Sequence, residues 1–274
     1  MFDPLAADPP HDPDFPASTP ALTFTSGGAS LLGVLHVPAG RGPHPVVVLL
    51  HGFPGDERNF DLAQVLRRAG YASLVFHYRG SWGVGGSWSW GHVLEDTAAV
   101  VAGLHGLAAA HRLDPRRLVL IGHSMGGFAA LMTAAAEPSV AAVASVAAFD
   151  FGTVAALCRA DPSVRASYVE AFTGELGPLR GTSGEALVSE MEAAGDSWRL
   201  AGLAPRLADR SVLLIGTSLD TVTPNDVHHD PVVAAYQAQP VKHLEHHLFA
   251  TDHALSDHRV TLARTILSFL ARCP

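Results

Sequence analysis

The sequence LVLIGHSMGG occupies residues 118–127 of a chain of 274 amino acids. Its apolar run at 118–121 predicts a strand that is buried on both faces, as strands of parallel sheets are. Gly122 and Gly126 stand two residues before and two residues after Ser124, so the backbone can turn sharply from this strand into a helix. Such a turn exposes the serine hydroxyl beside a helix N-terminus, where a developing negative charge is stabilised. We therefore predict that Ser124 is a nucleophile, the alternative being a glycine-rich turn that only ends a strand.

Along most of the chain, apolar runs alternate with segments of helical spacing, which predicts an α/β fold with a mostly parallel central sheet flanked by helices. The predicted strands are 21–25, 31–37, 46–50, 72–76, 118–121, 140–147, 212–215 and 241–248, and the first two form a predicted hairpin. No strand is predicted at about 151–210, where proline and glycine break helix-like segments, so we expect a small helical lid insertion there. Residues 1–20, rich in proline and aspartate, predict a flexible N-terminal arm before a single domain at 21–274.

Composition and charge narrow the class of partner. The chain carries 18 basic and 26 acidic residues, a net charge of −8, with no block of like charges, which argues against nucleic acid or an anionic membrane as a partner. No signal peptide and no apolar run long enough to span a bilayer is recognised, so a cytoplasmic protein is expected. Cys158 and Cys273 are compatible with free thiols in a reducing compartment or with one disulfide. We expect a small-molecule substrate, no cofactor, and a monomer or homodimer.

Two backbone amides are candidates for stabilising an oxyanion. The amide of Met125 follows the nucleophile directly. The second candidate is Phe53 in the sequence HGFPG at 51–55, because Pro54 has no N–H to offer. Loss of one such donor typically costs about 100- to 1000-fold in rate. The alternative for residues 51–55 is an ordinary turn between a strand and a helix.

The order of HGFPG at 51–55, Ser124, Asp220 and His253 resembles that of the α/β-hydrolase superfamily, over residues 21 to 270. The resemblance implies an α/β-hydrolase fold in which a carboxylate follows a late strand and a histidine precedes the last helix. Asp220 and His253 hold these places. In such a triad the histidine takes the serine proton and returns it to the leaving group, while the carboxylate orients the imidazole.

Two further aspartates are candidates for the acid of the triad. Asp226 and Asp230 lie a short way downstream of Asp220. We rank Asp220 first because it is nearest to the end of the predicted strand at 212–215, where a rigid element can aim it.

A glycine-rich loop after the strand at 72–76 contains three of the four tryptophans, Trp82, Trp88 and Trp90. Loops at strand C-termini border the ligand site in open α/β sheets, so these rings are candidates for an acyl or aryl pocket; the alternative is that they pack the loop onto the fold. The sequence Tyr-Arg-Gly-Ser at 78–81, followed by Glu95-Asp96, resembles the catalytic domain of prolyl-oligopeptidase-like enzymes and related esterases. The resemblance suggests that Arg79 pairs with Asp96. A β-propeller would need far more than the roughly 20 residues before the first strand.

The sequence HLEHH at 243–247 suggests a metal site, since histidines three and four apart can ligate zinc on a helix. The segment has a strand pattern, however, which places His243, Glu245 and His247 on one face and His246 on the other. We therefore predict no metal site.

These features predict a serine esterase that acts on small to medium, largely uncharged carboxylic esters through an acyl-enzyme. One alternative is a small-peptide or amide hydrolase with the same triad, similar to an aminopeptidase. A less favoured alternative is a non-catalytic, hydrolase-like binding protein.

Overall fold

The computed structural model describes residues 2–239 and 241–273. Its strands form one sheet of eight in the order β1-β2-β4-β3-β5-β6-β7-β8. Strands β1, β2 and β4 pair antiparallel, and all the other neighbouring strands pair parallel. The strands are β1 Ala21–Ser26, β2 Ala29–His36, β3 His44–Leu50, β4 Ala72–Phe76, β5 Leu113–His123, β6 Val140–Val146, β7 Ser211–Thr217 and β8 His243–Phe249.

Helices cover both faces of the sheet. They are α1 Phe60–Arg68, α2 Trp90–His111, α3 Met125–Ala136, α4 Phe151–Ala160, α5 Pro162–Gly174, α6 Gly184–Ala194, α7 Asn225–His228, α8 Asp230–Ala238 and α9 Arg259–Leu270. Helices α1 and α9 contribute to an apolar core on one face, and α2, α3, α8 and the helices after β6 contribute to a larger core on the other. The mostly parallel sheet flanked by helices is therefore confirmed.

The carboxyl ends of β3, β5, β6 and β7 lie side by side in the middle of the sheet. The loop after β3, the turn at Ser124 and the loops after β6 and β7 therefore converge at one edge. Ligands of open α/β sheets bind at this edge.

The predicted hairpin and the other predicted strands are confirmed. Strand β5 differs, because it begins at Leu113 and shifts register between Leu118 and Val119. The added segment contains Asp114, Arg116 and Arg117 and therefore lacks the apolar pattern of a buried strand.

Between β6 and β7 the chain forms α4, α5, α6 and the 3-10 segments Gly195–Trp198 and Leu200–Leu207, in the stretch expected to be a lid. The N-terminal residues contact the body at several points: Arg68 donates a hydrogen bond to the Pro4 carbonyl, and Ser18 pairs with Val37. The thiols of Cys158 and Cys273 are both free.

Helix α2 corrects one sequence interpretation. With 22 residues it is long and apolar enough to cross a membrane by length and composition, so the statement that no such run exists was wrong. In the structure this helix packs on the sheet through Val93, Val100 and Leu104, and its buried Asp96 binds an arginine. Length and composition alone do not distinguish a membrane span from a helix packed within a folded domain.

The arginine that binds the buried Asp96 is Arg79, so the predicted ion pair is confirmed. Its Nε lies 2.6 Å from Asp96 Oδ1, and its backbone amide donates to Asp96 Oδ2 at 2.7 Å. Asp96 is fully buried and Arg79 is 5% exposed. The pair fixes the start of the tryptophan loop to helix α2.

We expect Arg79→Ala to lower the free energy of unfolding by about 3–5 kcal/mol, because the substitution leaves the carboxylate of Asp96 buried without its cation. Urea denaturation measures the change. Arg116→Ala is the matched control, since Arg116 also pairs with an aspartate but its side chain is 86% exposed, and this variant should unfold as the wild type does. Equal stability of Arg79→Ala and the wild type would show that the pair does not support the fold.

Candidate active site

Ser124 occupies a strained turn between β5 and α3. Its φ is 57° and its ψ is −123°, a conformation that side-chain-bearing residues rarely adopt. Glycine is required on both sides, because a Cβ at Gly122 would lie 1.8 Å from the Gly126 carbonyl oxygen, and one at Gly126 would lie 2.0 Å from the Leu50 carbonyl oxygen. The spacing read from the sequence thus has a steric cause.

The loop after β7 brings Asp220 to His253. Nδ1 of His253 donates a hydrogen bond to Asp220 Oδ2 at 2.7 Å, which leaves Nε2 of the imidazole free to accept a proton. Asp220 also accepts hydrogen bonds from the hydroxyls of Thr217 and Thr223 and from the amides of Val222 and Thr223. The carboxylate is thereby fixed in position.

The pKa of Asp220 lies well below its usual range. Burial raises this pKa, but the hydrogen bonds from His253 and Thr223 outweigh burial and stabilise the charged form. Asp220 is therefore an anion at neutral pH, as an orienting carboxylate must be.

A second histidine anchors the loop of His253. Nε2 of His123 donates to the backbone carbonyl of His253 at 2.7 Å, and the two rings lie 4.7 Å apart. Burial lowers the pKa of His123 to about 4, so its ring stays neutral at neutral pH. Among the described residues no hydrogen bond joins the Ser124 hydroxyl to His253, and such bonds are often long before substrate binds.

The loop after β3 passes directly beside the nucleophile. A Cβ at Gly52 would lie 3.0 Å from the Cβ of Ser124, so only glycine permits this approach. Within the described ranges the amides of Phe53 and Met125 donate to no protein acceptor. Both predicted oxyanion donors therefore have a free N–H in the neighbourhood of Ser124.

A cluster of aromatic side chains lies near this position. The amide of Phe149 donates to the Ser124 carbonyl at 3.2 Å, which places Phe149 next to the turn. The ring of Phe172, on α5, lies 5.5 Å from the ring of Phe53 and 6.3 Å from the ring of Phe149. Tyr168, one helical turn earlier, contacts both Phe149 and Phe172. We call Phe53, Phe149, Tyr168 and Phe172 the aromatic arch.

The three tryptophans lie behind the loop after β3, and Trp90, predicted in the glycine-rich loop, is the first residue of α2. Trp88 and Trp90 are 2% and 1% exposed and pack against the ring of Phe53, at 6.0 and 5.1 Å. Trp82 donates from Nε1 to the Pro54 carbonyl at 2.9 Å. All three therefore support residues 53 and 54, which agrees with the packing alternative in the sequence analysis.

His228 is a buried residue near the site that the sequence analysis did not place there. Its Nδ1 accepts a hydrogen bond from the Asp150 amide at 2.9 Å, so its proton is on Nε2. The ring lies 4.8 Å from that of Phe149. The short sequence His228-His229-Asp230 gives no sign of this contact, which depends on the tertiary approach of β6 to α7.

Burial lowers the pKa of His228 to about 4, against about 6.5 in an unfolded chain. Because the folded pKa is the lower one, the unfolded state binds more protons between these values, and stability falls as pH drops from about 6.5 towards 4. We expect this single group to reduce the free energy of unfolding by about 2 kcal/mol between pH 7.5 and pH 5. Urea unfolding at both pH values should show a smaller pH difference in His228→Asn, whose side-chain oxygen can replace Nδ1 as acceptor; an unchanged difference would contradict the assignment.

The sequence HLEHH lies on β8 as predicted, with His243, Glu245 and His247 on one face. In the part of the chain that the structure describes, no three His, Cys, Asp or Glu side chains form a group that could hold a metal ion.

The chain matches a protein-family model described as alpha/beta hydrolase fold over residues 45–212. A relative from Escherichia coli, named "Uncharacterized 31.7 kDa protein in traX-finO intergenic region", is 28% identical over 164 residues. The match covers 59% of this chain and 57% of the relative, so it spans little more than half of that protein.

Solved structures share the fold. Est1E from Butyrivibrio proteoclasticus, solved with ferulic acid bound, has a TM-score of 0.72 at 18% identity, over 92% of this chain and 99% of its own. The Pyrococcus furiosus esterase Pf2001 has a TM-score of 0.68 at 18% identity, over 97% of each chain. The Pyrococcus horikoshii acylaminoacyl peptidase has a TM-score of 0.68 at 16% identity, over 94% of this chain but 41% of its own.

Proposed function

This chain belongs to the alpha/beta hydrolase fold family, whose model matches 45–212 of its 274 residues, and we propose that it is a serine esterase of this family. The fold and the family inferred from the sequence are thereby confirmed. The proposal concerns the ester substrate and the residues that act on it. The observation that carries it is the 2.7 Å hydrogen bond from His253 to Asp220, at the sheet edge where Ser124 occupies its strained turn.

In the proposed reaction Ser124 Oγ attacks the ester carbonyl carbon while Nε2 of His253 takes the hydroxyl proton. The carbonyl oxygen becomes an oxyanion, which the amides of Phe53 and Met125 stabilise by hydrogen bonds. His253 then donates its proton to the departing alkoxide, and an acyl-enzyme remains on Ser124. A water molecule, deprotonated by His253, releases the carboxylic acid and restores the serine. Asp220 stabilises the imidazolium in both halves of the cycle.

The aromatic arch supports an uncharged substrate. The loops that carry Phe53 and Phe149 pass beside Ser124, and the ring of Phe172 on α5 contacts both of their rings. We propose that residues 151–210 act as a lid over the site, with α5 covering it. A largely uncharged acyl or aryl group suits such walls, since burying an unpaired charge among them would be costly. The neighbour Est1E, solved with ferulic acid bound, makes aromatic acyl esters a useful part of any substrate panel.

The test compares p-nitrophenyl esters of graded acyl length and methyl ferulate with aminoacyl p-nitroanilides, using the purified full chain. Turnover of esters, together with covalent labelling by a fluorophosphonate, is the expected result. A preference for the anilides would favour the alternative of an amide or small-peptide hydrolase. Absence of turnover and of labelling would contradict the proposal and favour a non-catalytic binding protein.

His123 is proposed as a positioning residue, because it donates to the backbone of His253 and does not touch the substrate. Removal of this buried hydrogen bond in His123→Phe should cost about 1–3 kcal/mol, that is, a reduction in kcat of roughly 10- to 100-fold with little change in KM. His123→Gln, whose amide can still donate, should recover part of the loss. A role limited to folding would instead lower the yield of folded protein and leave kcat per labelled site unchanged.

A further inference from the structure

Strand β8 is an open edge of the sheet. In the described residues it pairs with β7 along its whole length and has no strand on its other side. Leu248 on this strand is 55% exposed. Natural edge strands are commonly protected by lysine, proline or a covering segment, and the sequence HLEHHLF contains neither of these residues. Its acidic residue, Glu245, is bound by Arg272 of the same chain.

The outward backbone groups of β8 can be identified. The carbonyl of Phe249 accepts a hydrogen bond from the Ser218 amide at 2.8 Å, so the polar groups of Phe249 face β7. Successive residues of a strand direct their N–H and C=O to opposite edges. Leu244, His246 and Leu248 therefore direct their N–H and C=O away from the sheet, in position to pair with another strand.

We propose that this edge joins two copies of the chain, with β8 pairing antiparallel to β8 of a second copy across a two-fold axis at His246. In this register His246 lies opposite the partner's His246, and Leu244 lies opposite the partner's Leu248. Every outward N–H and C=O of the three residues then finds a partner. A register shifted by one residue would place outward groups opposite groups already used by β7, so it is excluded.

The side chains fit the same register. Glu245 lies opposite the partner's His247. The two residues form a non-hydrogen-bonded pair, the type in which opposite side chains lie closest together. The exposed Leu248 is covered by the partner's Leu244 on the other face. A groove between β8 and α9, whose basic lining residues are Arg264 and Arg272, opens beside Glu245 and His247 and can receive the partner's Glu245.

An extended acidic peptide could use the same edge in principle, but the strand itself favours a second copy. Read from either end, HLEHHLF presents leucine at the second position and a histidine at its centre, with Glu245 and His247 at equivalent places. A closed two-fold contact uses such a self-complementary surface on both subunits. The proposal is independent of the esterase proposal, because its readout is the mass of the particle.

Sedimentation of the full chain should give a particle of twice 28.7 kDa that dissociates on dilution. His246→Pro should be a monomer with unchanged circular dichroism, because the lost N–H bonds nothing in the isolated chain and proline is tolerated on edge strands. Thr23→Pro is the matched control. Thr23 is exposed on β1 at the opposite edge, and the bond from the Leu35 amide to the Pro20 carbonyl shows that its backbone groups also face outward.

A monomeric wild type at every concentration would overturn the proposal, including when an added acidic peptide binds to it. A dimer that persists in His246→Pro would also overturn the proposal, whether or not Thr23→Pro keeps its dimer.

Cysteine cross-linking tests the register itself and does not depend on how well the proline variant folds. In a Cys273→Ser background, His246→Cys should oxidise to a covalent dimer, since paired residues in this type of position have Cα atoms about 5.5 Å apart, within disulfide range. Leu248→Cys should not, because its own copy lies about four residues, or roughly 13 Å, along the strand. Cross-linking of Leu248→Cys in preference to His246→Cys would overturn the register, and failure of both would overturn the contact.

Discussion

Ser124→Ala should reduce kcat for a p-nitrophenyl ester by about 10⁶-fold, the loss found when a triad serine is removed. The physical reason is that no other oxygen replaces the nucleophile at the turn between β5 and α3. Oxyanion amides and substrate binding would remain, so a residual acceleration of about 10³- to 10⁴-fold over water is expected. Stopped-assay kinetics on the purified variant measure both quantities, with KM close to that of the wild type.

The matched control for this prediction is Ser145→Ala. Ser145 is a serine on the adjacent strand β6 and is only 2% exposed, so it resembles Ser124 in burial and residue type. The Ser145→Ala variant should retain wild-type activity and labelling by a fluorophosphonate, while Ser124→Ala loses both. If Ser124→Ala kept the label or most of its turnover, another residue would be the nucleophile, and the proposed mechanism would be wrong.

The turn at Ser124 could be predicted from the sequence because its causes are local. The apolar run of β5 and the glycines at 122 and 126 lie within ten residues, and the clashes that require glycine involve backbone atoms of neighbouring segments. Strands β3, β4, β6 and β7 were predicted for a similar reason. They are buried on both faces, so each appears as a continuous apolar run.

The contacts around the nucleophile could not be predicted in this way. Phe149 and Phe172 are ordinary core candidates in the sequence, and the contact between their rings follows from the path of the chain between β6 and β7. His123 appears as the variable residue of the glycine-flanked motif, and its bond to His253 joins residues 130 positions apart. Periodicity carries no information on such contacts.

The tryptophan loop shows a second limit of prediction from the sequence. Composition drew attention to Trp82, Trp88 and Trp90, and the position of the loop at a strand end was predicted correctly. Whether the rings would line a pocket or support a loop depends on their burial, which the sequence leaves open. Their contacts with Phe53 and Pro54 indicate an indirect effect on the site, through the residue whose amide is a proposed oxyanion donor.

Asp220→Asn should reduce kcat by about 10⁴-fold, less than the loss of the nucleophile, because the nucleophile and the base both remain. The carboxylate accepts the Nδ1 proton of His253 at 2.7 Å, which keeps Nε2 unprotonated and able to accept the serine proton. An asparagine that turns its NH₂ group towards His253 favours the other tautomer, in which Nε2 carries the proton and cannot act as a base. The hydroxyl of Thr223 already donates a hydrogen bond to Asp220 Oδ2, the oxygen that accepts from His253. An NH₂ group in place of this oxygen would therefore face two donors, Thr223 and His253.

The sequence itself provides the controls, Asp226→Asn and Asp230→Asn, since both rivals are exposed and neither contacts His253 in the described residues. Both variants should retain the activity of the wild type in kcat measurements on the same ester. Because the pKa of Asp220 lies well below its usual range, through the hydrogen bonds from His253 and Thr223 that outweigh burial, the wild-type carboxylate stays charged throughout the assay range. Titration of this carboxylate should therefore add no inflection to the wild-type activity between pH 6 and pH 8, and a larger loss in Asp226→Asn would transfer the role of the acid to that residue.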